Sequence, residues 1–167
     1  NKFVRGRYFP NSQANDPQRD GNERLDLLAY HPGTARHVCR KLCRRFVGDD
    51  PSDALVNAAA DVFIAERFQA DQLRRVLRFI LLSDDFQSTF GEKIKRPFEA
   101  AVGALRAVNA DVRPELDGFY WHFDEIGQPL FEWRPPNGYP DTRAAWLSSV
   151  SLLKRWQFVN SAIEGWI

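Results

Sequence analysis

The residue types that could do chemistry gather between Lys93 and Asp141. Glu132 and Asp141 lie in one Pro-rich stretch, with Glu99 upstream and His122 between. Paired carboxylates are what glycoside hydrolysis requires, one as acid and one as base or nucleophile. His122 stands among Tyr120, Trp121, Phe123 and Asp124. An imidazole near carboxylates can act as a general base. No Ser or Cys nucleophile neighbours it in sequence, and the stronger expectation is a structural or surface histidine. A hydrolase acting on carbohydrate or ester would draw on Glu99, Glu132, Asp141 and His122.

Two further kinds of chemistry fit the same region. Lys93, Lys95 and Arg96 directly precede Pro97, where a helix can start. Cations at a helix N-terminus can hold a phosphate, sulfate or carboxylate. Alternatively, Arg96 reaches a carboxylate or carbonyl and pins two segments together, with Glu99 stabilised in the first helical turn. Trp133 and Tyr139 could form a stacking platform for sugar rings or a Pro-rich peptide. They could also simply plug the core, with Gln128 and Asp141 satisfying loop backbone groups.

The stretch that holds these aromatics, residues 127–141, contains four prolines and two glycines. That composition forbids a regular helix or a central strand. Leu130, Phe131, Trp133 and Tyr139 are nevertheless too apolar for an ordinary solvated loop. The segment is expected to be an ordered, packed connection, and ordered loops often carry function.

Elsewhere the signals are weaker. Cys39 and Cys43 sit four apart, one turn apart on a helix, near His31 and His37. A metal site needs about four ligands, and a second ligand pair is not evident. The pair is expected to pack as small hydrophobes. His31, before Pro32, reads as the end of a helix, where a cation is favourable. Arg36, Arg40, Lys41, Arg44 and Arg45 follow with no acid between Asp26 and Asp49, and Arg74, Arg75 and Arg78 form a second basic group. Such arginines could contact nucleic-acid phosphates. As solvated backs of amphipathic helices they would instead pair with Asp49, Asp50, Asp84 and Asp85, and nucleic acid is the weaker expectation.

The elements that must position these groups are helices. Residues 1–23 read as an extended arm with Phe3, Tyr8 and Phe9 as anchors, and no strand is expected. Apolar periodicity predicts helices over 23–30, 34–47, 53–67, 71–82, 97–108, 114–126 and 143–164, with a helical turn or loop at 83–90. Thr34, Ser52, Asp71 and Asp141 or Thr142 are the expected N-caps. The inner faces are Val38, Leu42 and Phe46 with both cysteines; Leu55 to Phe63; Leu73 to Leu81; and Trp146, Leu147, Val150, Leu153 and Val159. The fold is expected to be all-α, a six or seven helix orthogonal or irregular bundle forming one domain over 24–167.

The bulk numbers suit that fold. The 167 residues are 44% hydrophobic and 27% charged, with a net charge of +1. No strong field selects nucleic acid or an anionic membrane, and no apolar run approaches the roughly 20 residues that span a bilayer. The chain opens at Asn1 and contains no Met, so it is expected to be a piece of something longer. No cofactor signature is evident.

Several segments together resemble a known pattern. Leu25-Asp26-Leu27-Leu28-Ala29, His31-Pro32 and Thr34-Ala35 lead into Lys41-Leu42-Cys43-Arg44-Arg45-Phe46-Val47. Asp50-Pro51, Leu81-Leu82-Ser83 with Phe86, and Lys95-Arg96-Pro97-Phe98-Glu99 follow. Gly127-Gln128-Pro129-Leu130-Phe131, Trp133, Pro135-Pro136, Gly138-Tyr139-Pro140-Asp141 and Trp146 complete the series. Over roughly 24–160 these resemble the C-terminal half of the bacterial domain-of-unknown-function family numbered eighteen hundred. The resemblance implies an exported, extracytoplasmic protein and brings no catalytic residue with it. Arg44, Arg45, Lys95, Arg96, Gln128, Trp133, Tyr139, Pro140 and Asp141 become candidates for a shared site or a shared scaffold. The partners to expect are the remainder of the parent chain, another protein or a glycan, bound through 127–141.

Overall fold

A computed structural model describes residues 2–4, 6–9, 18–112 and 118–165. Helices dominate, as the periodicity requires, and eight α-helices stand among the described residues. Where the sequence treats 24–167 as one domain, the chain divides into two compact units, Asn1–Phe90 and Gly91–Ile167.

The first unit opens with a correction. Lys2–Val4 (β1) pairs antiparallel with Arg7–Phe9 (β2), in the register Lys2 to Phe9, Phe3 to Tyr8 and Val4 to Arg7. Gly6 supplies the turn at φ +77, a conformation that a side chain resists. Three-residue strands are too short to show alternation, so the sequence hides them.

Arg19–Ala29 (α1) starts four residues earlier than expected. Its first turns are tied by the i,i+4 pairs Arg19–Glu23 and Arg24–Asp20, each at 3.0 Å, rather than by an apolar stripe. Pro32–Phe46 (α2) follows. His31 is its N-cap and not the cationic end of α1: Nδ1 accepts the Gly33 N–H at 2.9 Å. Thr34, the expected cap, instead donates its hydroxyl to the Leu28 carbonyl at 2.6 Å, tying α2 to α1.

The buried line of α2 is Ala35, Cys39, Cys43 and Val47. The Val38–Leu42 row lies on its flank, and Phe46 is exposed. Asp53–Ala65 (α3) begins as expected, with Ser52 Oγ accepting the Leu55 N–H at 3.1 Å. Gln72–Leu81 (α4) contributes Val76 and Ile80 to the core, whereas Leu73 and Leu81 face solvent. Asp84–Ser88 (α5) realises the short turn, capped by Ser83. Cys39, Cys43, Val56, Ala59, Val76 and Ile80 form one fully buried centre shared by α2, α3 and α4. Burying such side chains supplies about 1.5–3 kcal/mol for each Val or Ile.

The second unit is built from Pro97–Ala107 (α6), Gly118–Glu125 (α7) and Ser149–Glu164 (α8). Ala101, Leu105, Phe123, Ile126 and Phe158 make its core, with Phe98 and Leu130 packed against it. The Phe98 and Phe123 ring centroids lie 5.2 Å apart. The expected start of α7 at Pro114, with Leu116, lies outside the described residues. The last helix is shorter than predicted. Arg143–Ala145 form one 3₁₀ turn, and the cap is Ser148, whose Oγ accepts the Ser151 N–H at 3.0 Å. Trp146 leaves the helical path to bury its indole. On α8 the inward residue is Phe158, while Val150, Leu153 and Val159, and Leu147 before the helix, are exposed.

Candidate functional site

The start of α6 is where the sequence signals meet. Arg96 is extended (φ −63, ψ 159) and Pro97 takes the first helical position, as its fixed φ suits. Glu99, one turn on, reaches back: Oε2 accepts the Arg96 backbone N–H at 3.2 Å. Its Oε1 accepts Arg96 Nε at 2.8 Å and Nη2 at 2.6 Å. The carboxylate thus satisfies an orphan helix N–H and holds the guanidinium by two charge-assisted bonds. Arg96 Nη1 also approaches Asp141 Oδ1 at 3.8 Å. Glu99 and Asp141 therefore both approach one guanidinium.

Residues 127–141 form an ordered strap that returns to α6. Gly127, at φ +87, turns the chain out of α7. Gln128 is 8% exposed, and its Oε1 accepts the Phe98 N–H at 3.0 Å, a second orphan donor of α6. Tyr139 donates its hydroxyl to the Pro129 carbonyl and closes the strap on itself. Partial burial, and then the nearby carboxylates Glu132 and Asp124, hold this phenol above its ordinary pKa, so it stays a donor. Trp146 Nε1 donates to the Pro140 carbonyl at 2.9 Å. The rings of Trp133, Tyr139 and Trp146 pack in series at tilted angles, with centroids 4.9 and 5.7 Å apart. Lys93 Nζ adds a bond to the Asp141 carbonyl at 3.4 Å.

One residue that sequence reasoning missed completes the arrangement. Arg155, on α8, donates Nη1 to the Lys95 carbonyl at 2.9 Å and Nη2 to the Trp146 carbonyl at 3.1 Å. Burial lowers the pKa of this guanidinium from its ordinary value. Beside Lys154 in sequence it looks like one more solvated cation, and only the fold turns it inward. Lys95 itself is exposed, and its role in this network is its carbonyl.

The remaining candidates are not members of this hydrogen-bond network. Glu132 is exposed on the strap, and His122 is half-buried on α7 with its ring edge against Phe158 at 5.8 Å. Arg44 and Arg45 belong to the first unit, where Arg44 Nε donates to the Asp49 carbonyl at 3.0 Å. Arg36 and Arg40 both pair with Asp53, whose carboxyl they hold below its ordinary pKa, chiefly through the Arg40 hydrogen bond. Burial, first, pushes the Cys39 thiol up to about 12 and the Cys43 thiol up to about 11. Among the described residues no His/Cys/Asp/Glu group of metal-binding form stands out, and no helix is long and apolar enough to cross a membrane.

Two rings on the strap keep exposed surface. Phe131 is fully exposed and sits at φ +65, a backbone region that bulky residues avoid. Trp133 keeps 37% of its surface exposed while its Nε1 donates to Asn137 Oδ1 at 3.2 Å.

A family model described as a protein of unknown function (DUF1800) matches residues 1–164 of the chain, a wider span than the segments at 24–160 that carry the resemblance. No curated protein and no solved structure matches it.

Proposed function

The chain belongs to this family of unknown function, and from that premise we propose that it is a non-catalytic binding module of an exported bacterial protein. Its strap at 127–141 docks a partner protein. The observation that carries the proposal is Phe131, a fully exposed aromatic held in a strained backbone state by a strap anchored at Gln128, Tyr139 and Trp146. Strain of about 1–3 kcal/mol persists only where the surroundings over-determine it, and it concentrates at functional positions. A rigid, exposed ring is also what an interface anchor needs, because little entropy remains to be lost on binding.

Glu99 is committed to Arg96 and Asp141 approaches the same guanidinium, which favours a scaffold role for Glu99 over hydrolysis. Two of the α2 arginines are already paired with Asp53, which weighs against a phosphate-reading stripe. On the strap the most exposed ring is Phe131 and not Trp133, which favours a protein anchor over a sugar platform there. The exported setting rests on the family resemblance alone.

A photocrosslinking phenylalanine analogue at position 131 of the full-length protein, expressed in its host, tests the proposal. The expected result is one discrete crosslinked partner, absent when the analogue replaces Arg106 on the exposed side of α6, and lost from co-purification in Phe131→Ser. Equal labelling at both positions would overturn it.

A further inference from the structure

The second unit carries a concavity that the strap does not use. A groove of about 450 Å³ runs between α7 and α8, within the range of small-molecule sites. Its floor is apolar, formed by the buried Ile126 and Phe158. Trp121 rises on one wall with 57% of its surface exposed. From α8, Lys154, Gln157, Phe158 and Ser161 line it at i, i+3, i+4 and i+7, a single helical face. Asn160 joins them at the rim.

The polar groups along the groove face solvent and are open to a ligand. The side chains of Gln157, Asn160 and Ser161 make no hydrogen bond among the described residues, and neither does the imidazole of His122, whose ring contacts are Trp121 and Phe158. Amide, hydroxyl and imidazole groups supply both donors and acceptors. The charged wall is self-contained: Lys154 Nζ binds Glu125 Oε1 at 2.7 Å, so this pair adds no net charge.

We propose that this groove binds a neutral saccharide. A pyranose has one apolar C–H face and a rim of hydroxyls that each donate and accept. The C–H face fits the exposed indole of Trp121, and the hydroxyls fit the amides of Gln157 and Asn160. A purely apolar ligand would strand those amides without partners. An anionic ligand would meet Glu125 and find Lys154 already engaged. The site stands independently of the strap, because none of its lining residues belongs to 127–141.

Titration of the intact chain with methyl glucoside, methyl galactoside, N-acetylglucosamine and glucuronate tests the site, read by saturation-transfer NMR and tryptophan fluorescence. At least one neutral sugar saturates, with affinity near the millimolar range typical of a single small polar ligand, about −4 kcal/mol. Glucuronate binds more weakly than that sugar. Trp121→Ala and Asn160→Ala each weaken binding tenfold or more, while Trp133→Ala leaves it unchanged. Circular dichroism confirms that each variant folds, and Gln157→Ala replaces any that does not. Failure of every neutral sugar to saturate, or loss of binding in Trp133→Ala with Trp121→Ala unaffected, would overturn the proposal.

Discussion

Gln128 and Phe98 lie thirty residues apart, yet the Gln128 side-chain oxygen accepts the Phe98 backbone N–H at 3.0 Å. The second orphan donor of α6 is therefore satisfied by the strap and not by a local cap. Gln128→Met keeps the length and removes the acceptor. The part-buried N–H is then left without its protein partner, at a cost of about 1 kcal/mol. Urea unfolding followed through the tryptophans of the second unit should show the midpoint falling with the slope unchanged. An unaltered midpoint would mean that Gln128 contributes packing only.

Arg96 contacts two carboxylates at different distances, and the difference is measurable. Its bonds to Glu99 are short and partly buried, at 2.8 and 2.6 Å. A double-mutant cycle on Arg96→Ala and Glu99→Ala should give a coupling of about 1 kcal/mol or more. The same cycle with Asp141, at 3.8 Å, should give less than about 0.5 kcal/mol and should vanish in high salt. Equal couplings would show that the strap holds the guanidinium as firmly as the helix cap does.

The two thiols set an alkaline limit on the first unit. Burial raises Cys39 to about 12 and Cys43 to about 11, from an ordinary 9.0. Above 9.0 an unfolded thiol releases its proton while the folded one keeps it, so the folded state binds more protons and stability falls as pH rises. The contribution is intact below 9.0 and is lost progressively toward about 11 and 12. In Cys39→Ala/Cys43→Ala the decline in unfolding free energy between these limits should be shallower. Native protein should also resist thiol-labelling reagents at neutral pH, because the thiolate is the reactive form. Rapid labelling without unfolding would contradict the burial.

Phe131 tests whether strain is kept for binding. At φ +65 glycine is at ease where phenylalanine is not. Since the ring makes no core contact, Phe131→Gly should leave the melting temperature unchanged or raise stability by up to about 1 kcal/mol. The same variant should lose partner binding. A marked drop in melting temperature would reassign the ring to the scaffold.

Local chemistry made much of this protein readable in advance. Leu55, Val56 and Ala59 on α3, the Ser52 cap, Pro97 at the start of α6 and the ordered Pro-aromatic strap all follow from side-chain spacing and backbone preference within a few residues. So does the burial of Cys39 and Cys43, which repeat every fourth residue along one helical face. Where two local signals compete, the sequence misleads. Ser148 and Thr142 can both cap α8, and only the burial of the Trp146 indole decides for Ser148. His31 looks like a C-terminal cation until its Nδ1 is seen accepting the Gly33 N–H.

What tertiary structure alone decided are the partnerships between distant residues. Arg155 turns inward to the carbonyls of Lys95 and Trp146, Gln128 caps a helix thirty residues away, and Trp121 comes to share a groove with Gln157 and Asn160. The periodicity of a helix fixes which side is apolar, but hydrophobic burial is non-directional and does not say which helix will cover it. Hydrogen bonds are directional and short-ranged, so they form only once packing has placed their ends within about 3 Å.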